Sequence, residues 1–381
     1  MRPSRRRLAF LLLLIVCVGV PALYVLRVRR PLPPAPPSVT ESGPRLPAPE
    51  TPPEPRPPAR PPAPRPSPAP RVAQQVPRRL PSHATPPPAP PRALFRYTGL
   101  GEHYGQLVWT TLAEPPPPVT ATPLVCDRVH FAAGSGICLT HQSGTLPSQE
   151  ALLFDGEFRV RQHIPLTGFP SRARVSPDGK LASFTVFQSG HSYAENNFST
   201  RVSIVDAVSG APVAPDLEQF TVIRDGVPFK APDFNFWGVT FAHESGRFYA
   251  TLMTGGRIYL VEGDLATRQA RIVREGIECP SLSPDDTRLA FKKRTSGAYS
   301  RLIWRITVLN LSTGEERETS ETRSVDDQVL WLDNHSILYA LPEALSGSAV
   351  MNTWLVPADG SGEPRLFMPK AYSLVVIPGM K

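Results

Sequence analysis

The sequence predicts an all-β fold: a six-bladed β-propeller with a shared terminal blade, preceded by one transmembrane helix and a disordered proline-rich linker. Three features of the 381-residue chain lead to this prediction. An uncharged apolar segment lies near the N-terminus, proline fills 26 of the 63 positions 31–93, and a hairpin motif recurs through the remainder. The predicted boundaries are 1–30 for the membrane anchor, 31–93 for the stalk and 94–381 for the propeller.

The anchor is predicted from residues 8–26, which contain no charged side chain and have arginines on both sides. As a helix, these 19 residues rise about 28 Å, which matches the hydrocarbon core of a bilayer. We expect an uncleaved, single-pass signal-anchor in the cell membrane, with the propeller extracytoplasmic. Cleavage is the alternative and would give a secreted protein, but Pro21 interrupts the small residues that a signal peptidase requires.

The stalk is predicted from its proline content. Each proline removes a backbone donor and fixes φ, so neither helices nor central strands are compatible with this density. Such runs favour the extended polyproline geometry, and at about 3.1 Å per residue the stalk would reach roughly 190 Å. We expect a spacer that holds the propeller away from the bilayer. A ligand for a proline-recognition module is the alternative.

The charge is divided unevenly between the parts. Residues 1–93 hold 15 arginines and three acids, a net charge of +12, whereas residues 94–381 hold 26 basic and 30 acidic side chains, a net charge of −4. The propeller therefore lacks the basic surface that nucleic acid requires, and we predict no nucleic-acid partner. The stalk arginines are expected to keep the linker soluble; contact with anionic lipid or wall polymer is the alternative.

The hairpin motif is clearest at residues 174–184 (RVSPDGKLASF) and is repeated at residues 281–291 (SLSPDDTRLAF). In the first copy Pro177 presets φ, Asp178 caps its own backbone and Gly179 takes the positive φ of a tight turn. Apolar alternation on both sides of the turn is typical of a β-hairpin. Looser copies occupy residues 129–140, 239–252 and 329–340.

Each hairpin is accompanied by a further strand, and these strands give the number of blades. Six such strands occur about 44 to 55 residues apart, for example at residues 202–210 and 306–314. The predicted chain begins with the outer half of a blade and ends with an inner fragment, residues 372–377. Both ends are therefore expected to complete one shared blade, which closes the ring and covers the edges of the sheets.

The motif SPDGKLASF at residues 176–184, with its copy from Ser281 onward, resembles the repeat of the TolB-like six-bladed β-propellers. The similarity covers most of residues 100–381, and the layout resembles membrane-anchored bacterial proteins of this kind. The resemblance implies a six-bladed ring, an exported location and protein–protein interaction, but no catalytic residue, because the motif is structural. This chain departs from the pattern by insertions at residues 188–200 and 295–301 and by the stalk that precedes the propeller.

The sequence contains no motif for catalysis or for a metal. GxSxG and HExxH are absent, and no Cys/His spacing is typical of a metal site. Asp178 and Asp285 are expected to cap turns, with calcium binding as the alternative. Cys126, Cys138 and Cys279 are odd in number, so at least one is unpaired within the propeller; a disulfide is permitted outside the cytoplasm. We predict no cofactor, no metal and no enzymatic activity.

Eight residues are candidates for binding a ligand or a partner. His191 and Tyr193 lie in the insertion at residues 188–200, and long loops on rigid scaffolds often carry recognition. The eight candidates are His191, Tyr193, Asp233, Trp237, Lys292, Lys293, Asp326 and Asp327.

The other six candidates belong to two groups. Asp233 and Trp237 belong to an aromatic segment (DFNFWG) that leads into the third blade, where it is expected to line a pocket or, alternatively, to pack between blades. Lys292 and Lys293 end a strand of the fourth blade. Asp326 and Asp327 precede the fifth blade. These charges are expected to form a solvated rim, worth roughly 0–1 kcal/mol per ion pair.

The predicted function is a protein- or ligand-binding scaffold in the cell envelope, with the stalk setting its reach. The partner is expected to be an envelope protein or a glycan, the N-terminal helix contacts the membrane, and the propeller is expected to be monomeric. One alternative is a metal-dependent hydrolase or lactonase-like enzyme at the channel mouth, using His191, Asp233, Asp326 and Asp327. The other is a sensor of an envelope ligand.

Overall fold

A computed structural model of the chain describes residues 90–113, 117–142, 148–188, 199–244, 246–296, 302–343 and 349–378. The chain divides into two units, Met1–Leu80 and Pro81–Lys381, and all of the described residues belong to the second. The predicted anchor at residues 8–26 and the stalk up to residue 89 lie outside the described residues. Within them, no helix has the length and apolar character of a membrane span.

The described residues form 26 strands and one 3₁₀ helix, Leu217–Gln219, but no α-helix. The first thirteen strands are β1 (Arg92–Tyr97), β2 (Gln106–Thr111), β3 (Thr120–Val125), β4 (Arg128–Ala132), β5 (Ser135–Gln142), β6 (Ser148–Asp155), β7 (Val160–Leu166), β8 (Phe169–Val175), β9 (Leu181–Gln188), β10 (Ser199–Asp206), β11 (Pro212–Ala214), β12 (Thr221–Arg224) and β13 (Val227–Phe229). The others are β14 (Asn235–Phe241), β15 (Arg247–Thr254), β16 (Arg257–Asp264), β17 (Gln269–Glu275), β18 (Glu278–Leu282), β19 (Arg288–Ser296), β20 (Leu302–Asn310), β21 (Glu316–Glu318), β22 (Leu330–Trp331), β23 (Ser336–Pro342), β24 (Met351–Pro357), β25 (Arg365–Met368) and β26 (Ala371–Ile377).

The strands form six blades, which confirms the predicted six-bladed all-β propeller. Blade 1 contains β4–β7, blade 2 β8–β11, blade 3 β14–β17, blade 4 β18–β21 and blade 5 β22–β25, while blade 6 combines β26 with β1–β3. The inner strands are β4, β8, β14, β18, β22 and β26. Each inner strand contacts the inner strand of the next blade, so these strands surround a common centre. The contacting pairs are β26 and β4, β4 and β8, β8 and β14, β14 and β18, and β18 and β22.

The ring closes in blade 6, where β26 pairs antiparallel with β1 and Leu94 lies opposite Val375. The two ends of the propeller therefore share a blade, as the sequence predicts. The division differs from the prediction, because the N-terminal side supplies three strands and the C-terminal side only one. The sequence reading missed β1, since this strand follows the proline-rich stretch directly and its partner β26 lies about 280 positions away in the chain.

The apolar core lies between neighbouring blades rather than within any one of them. Between blades 1 and 2, for example, Ile137 and Leu153 pack with Phe184. Corresponding clusters lie between each of the other neighbouring pairs around the ring. Each sheet buries its faces only against its neighbours, so the blades stabilise one another.

The turns of the two clear motif copies have the same hydrogen bonds. The hydroxyl of Ser176 donates to Asp178 Oδ1 at 2.6 Å, and the amide of Leu181 donates to Ser176 Oγ at 2.9 Å. In the second copy Ser283 donates to Asp285 at 2.5 Å. Asp178 and Asp285 thus cap their own turns, as predicted.

Blade 3 has two additional strands that the sequence reading missed. β12 pairs parallel with the outer strand β17, and β13 pairs antiparallel with β12, so this sheet has six strands. A two-residue turn, Asp225-Gly226, joins β12 to β13, and both of its residues have positive φ. The extra hairpin covers the outer edge of blade 3, an edge that is otherwise open to pairing with other chains.

Cys126 and Cys138 form a disulfide, with their Cα atoms 5.4 Å apart. Cys126 follows β3 of blade 6, and Cys138 lies on β5 of blade 1. The bond therefore joins two blades next to the place where the ring closes. Cys279 is buried and has a free thiol.

Candidate binding site in the propeller channel

A cavity of about 880 Å³ lies at one end of the channel among the described residues. We call it the wide cavity. The last residue of every inner strand lines it, so all six blades contribute to its wall. These residues are Ala132, Val175, Phe241, Leu282, Trp331 and Ile377.

The wall of the wide cavity is mainly apolar, and its charged groups lie among aromatic side chains. Three arginines line it, Arg92, Arg161 and Arg174. Its two carboxylates, Glu157 and Asp286, are both engaged. Glu157 accepts a hydrogen bond from Arg159 at 2.9 Å, and Asp286 accepts one from the amide of His243 at 2.9 Å.

The floor of the wide cavity is formed by Arg174 and His130, which also line a second, narrow cavity of about 40 Å³. Arg174 is only 6 % exposed. Its Nη2 donates to the carbonyl of Val329 at 3.1 Å, and its Nη1 lies 3.2 Å from Nε2 of His130. The amide of Val175 donates to Nδ1 of His130 at 3.0 Å. These two side chains therefore stand where the wide and narrow cavities meet.

Burial perturbs the titration of both floor residues. Burial, together with the positive charge of Arg174, holds the pKa of His130 well below its usual value, so this imidazole is neutral at pH 7. Burial also lowers the pKa of Arg174 to about 10, although Asp327 and Cys279 oppose the shift. Arg174 stays charged at neutral pH without a carboxylate in direct contact among the described residues.

A cluster of charged side chains lies near the amino-terminal ends of the inner strands. We call it the charged cluster; its members are Arg128, Glu278, Lys292, Asp326 and Asp327. Lys292 Nζ lies 2.6 Å from Asp326 and 3.3 Å from Glu278. Arg128 lies 2.8 Å from Asp327. The cluster therefore joins blades 1, 4 and 5 across the centre of the ring.

The structure separates the four charged candidates in this region. Lys292, Asp326 and Asp327 belong to the charged cluster, whereas Lys293 points away and contacts Glu316 of the same blade at 2.6 Å. The expectation of a solvated rim is wrong for Lys292, whose side chain is only 2 % exposed, and for Asp327, whose side chain is 8 % exposed. Alternation along β19 explains the difference between Lys292 and Lys293, because successive side chains of a strand face opposite sides of the sheet.

Asp233 and Trp237 have structural contacts. Asp233 accepts hydrogen bonds from Thr254 Oγ1 and from the amide of Gly255, both at 2.6 Å, and so fixes the turn between β15 and β16. Trp237 is buried with Met253 and Cys279 between blades 3 and 4. Packing between blades, the alternative that the sequence left open, is therefore what the structure has for Trp237.

His191 and Tyr193 lie outside the described residues, so their role stays a prediction. Among the residues that are described, no group of three or more histidine, cysteine, aspartate and glutamate side chains is arranged to hold a metal ion.

Several inner strands have a bulge at mid-length. The pairing register shifts in β14 next to Gly238 and in β18 next to Cys279, and both residues have positive φ, +66° and +50°. β26 has a similar irregularity at Ser373, whose φ is +53°. Bulges re-aim side chains and are common beside binding sites. Here they lie between the charged cluster and the wide cavity.

Sequence reasoning missed His130 and Arg174, the two residues at the floor. The available signal was the pattern Arg172-Ala173-Arg174 in a strand that otherwise reads as an inner strand. Two arginines on one face of a buried strand require partners or a ligand. The position of His130 opposite Arg174 depends on the packing of blade 1 against blade 2 and is not visible in either segment alone.

Comparison with known proteins supports the fold. No family model matches the chain, and no curated protein matches it in sequence. TolB from Acinetobacter baumannii is similar in structure, with a TM-score of 0.51 and 16 % identity over 76 % of this chain and 67 % of that one. A chain of a nidogen/laminin complex has a TM-score of 0.49 and 12 % identity, covering 76 % of this chain and 100 % of its own length. At 16 % identity the similarity to TolB shows the propeller fold alone.

Proposed function

We propose that this chain is an exported, membrane-anchored binding protein whose propeller receives its ligand or partner in the wide cavity. The observation that carries the proposal is the convergence of all six inner strands on a cavity of about 880 Å³ with an apolar wall and a guanidinium at its floor. Natural ligand sites combine these properties: concavity, an apolar lining and a few fixed polar groups.

Export and anchoring rest on two further observations. Residues 8–26 have the length and apolar character of a bilayer-spanning helix. The disulfide between Cys126 and Cys138 is typical of proteins outside the reducing cytoplasm. The proline-rich residues 31–93 would then set the distance between the bilayer and the binding site.

No observation favours the hydrolase alternative. Its aspartate candidates have other partners: Asp233 fixes a turn, Asp326 contacts Lys292, and Asp327 contacts Arg128. Asp326 and Asp327 therefore act as counterions and Asp233 stabilises a turn, so the three carboxylates do not converge on a common site.

Site-specific photo-crosslinking in intact cells tests the binding role. The full chain carries benzoylphenylalanine in place of either Phe131, which lines the wide cavity, or Phe169, which is 65 % exposed at the opposite end of an inner strand. We expect adducts from position 131 and none from position 169. Equal adducts at both positions, or none at 131, would refute a binding site in the wide cavity.

Fractionation tests export and anchoring separately. The chain is expected to stay with membranes after alkaline carbonate washing. Protease added to cells with a permeabilised outer envelope is expected to degrade the propeller. Recovery of the chain in the soluble cytoplasmic fraction contradicts this part of the proposal and leaves the crosslinking result unaffected.

A further inference from the structure

We propose that the wide cavity selects a ligand with a carboxylate on an apolar body, and that the carboxylate binds to Arg174 and His130 at the floor. This inference rests on the proposed binding function and names the chemical class of the ligand. It depends on three features of the cavity. Arg174 is a buried cation without a carboxylate in contact, hydrogen-bond acceptors are lacking beside His130, and the carboxylates of the wall already contact other side chains.

The first feature is the isolation of the Arg174 guanidinium. Arg174 is 6 % exposed, and its Nε has no hydrogen-bond partner among the described residues. The Nε of nearby Arg172 also has no partner, but Arg172 lies 3.6 Å from Asp326 and Arg128 contacts Asp327 at 2.8 Å, whereas Arg174 has no carboxylate within 4 Å among the described residues. A buried cation without a counterion in contact is strongly unfavourable, because its lost hydration is not replaced. A bound anion would remove much of that penalty.

The second feature is a shortage of acceptors beside His130. The amide of Val175 donates to Nδ1 of this ring, so the single proton of the neutral imidazole lies on Nε2. Nε2 is 3.2 Å from Arg174 Nη1, which can only donate. Two donors therefore face each other with no acceptor between them. A carboxylate oxygen in the adjoining cavity can accept from both.

The third feature is the electrostatic balance of the wall. The carboxylates of Glu157 and Asp286 already contact Arg159 and His243. Arg92 and Arg161 also line this cavity, so its charged residues favour an anion over a cation. Apolar side chains occupy most of the remaining surface, and these suit the body of the ligand rather than its charge. The planar guanidinium of Arg174 matches a carboxylate in geometry.

Calorimetry with the full chain in lipid nanodiscs tests the inference, with empty nanodiscs as the blank. The probes are 4-phenylbutanoate and its neutral analogue 4-phenylbutanamide. We expect the acid to bind at least tenfold more tightly than the amide. Arg174→Gln is expected to abolish this preference, and Arg174→Lys to restore it in part, because lysine keeps the charge without the planar fork.

Arg172→Gln is the matched control, because Arg172 lies two positions earlier in β8 and does not line the wide cavity. It is expected to change the affinity for the acid less than twofold. Thermal unfolding of each variant establishes that it is folded. If Arg174→Gln does not fold, the ratio of the wild-type affinities for the acid and the amide decides whether the cavity selects a carboxylate.

The outcomes separate this inference from the proposed function. Equal affinities for acid and amide overturn the carboxylate assignment, as does failure of both probes to bind at 10 mM, and the crosslinking at Phe131 still tests the cavity as a binding site. A preference for the acid that persists in Arg174→Gln also overturns it, because the charge would then be recognised elsewhere.

Discussion

Lys292 and Lys293 are adjacent in sequence, and the structure gives them opposite surroundings. The side chain of Lys292 is 2 % exposed and contacts Glu278 and Asp326, whereas that of Lys293 is 44 % exposed and contacts Glu316. Burial lowers the pKa of Lys292, but Cys279, Glu278 and Asp326 together raise it above its ordinary value. The two lysines therefore allow a direct comparison of a buried and an exposed ion pair.

We expect Lys292→Met to destabilise the propeller by about 3 kcal/mol, because it leaves the buried carboxylate of Glu278 without its closest ammonium group. The effect lies at the lower end of the range for broken buried pairs, since Arg294 still contacts Glu278 at 2.7 Å. Lys293→Met, the matched control, is expected to change stability by about 0–1 kcal/mol. Urea unfolding followed by tryptophan fluorescence measures both, and equal losses would contradict the assigned burial.

Glu278 gives a pH-dependent prediction. Burial raises the pKa of this carboxyl, but Lys292 and the hydrogen bonds from Arg294 and Trp304 lower it more, so the folded pKa lies below the ordinary 4.5. Its contribution to stability is therefore present above the unfolded pKa and is lost as pH falls through the folded one. The difference in unfolding free energy between wild type and Glu278→Gln is expected to shrink between about pH 5 and pH 3. A difference that is constant over this range would contradict the assignment.

At the level of elements, the sequence predicts the hairpins best where the turn chemistry is local. The serine and aspartate side chains of the two clear motif copies form hydrogen bonds within a few residues of themselves, so the pattern is visible in one segment. The β12–β13 hairpin also has a local signal, the dipeptide Asp225-Gly226 between apolar stretches. The reading missed it because this hairpin falls outside the period of the blades.

The bulges of the inner strands could not be predicted, because they arise from contacts between blades. Gly238 in β14 has a φ of +66°, and a Cβ at this position would lie 2.9 Å from the Cα of Cys279 in the next blade. Cys279 itself has a positive φ of +50°. Neither residue is in a turn, so no turn motif marks these conformations in the sequence.

Gly238→Ala tests this close approach. The substitution is expected to cost about 1–2 kcal/mol for the left-handed backbone and roughly 1–3 kcal/mol more for the contact with the Cys279 backbone. Gly256→Ala is the matched control, because Gly256 has a similar φ of +72° and nothing within 4 Å of its added Cβ. It is expected to show only the first contribution. Urea unfolding of both variants measures the difference, and equal losses would place the strain in the backbone alone.

At the scale of the whole molecule, the repeat predicts the number of blades but not how the ends of the chain divide the last one. Six sheets follow from six copies of a local pattern. The pairing of β1 with β26 joins segments with no shared motif, so the three-plus-one division appears only in the structure. The pair of polar side chains at the floor of the wide cavity was also not predictable from one segment, because blades 1 and 2 supply His130 and Arg174 separately.

The disulfide offers a test of how much stability the ring gains near its closure. Cys126 and Cys138 are 12 positions apart and join blade 6 to blade 1. A loop of this length predicts a loss of about 3 kcal/mol when the bond is removed. We expect the double variant Cys126→Ser/Cys138→Ser to lose this amount in urea unfolding, and wild type in dithiothreitol to lose about the same. The double variant is expected to be insensitive to dithiothreitol, which serves as the control.

Because each sheet buries its faces against its neighbours, the weakened ring should still unfold in one transition. A separate early transition in the double variant would show that blades 6 and 1 are held together mainly by the covalent bond, and that the apolar contacts between them contribute less than those elsewhere in the ring.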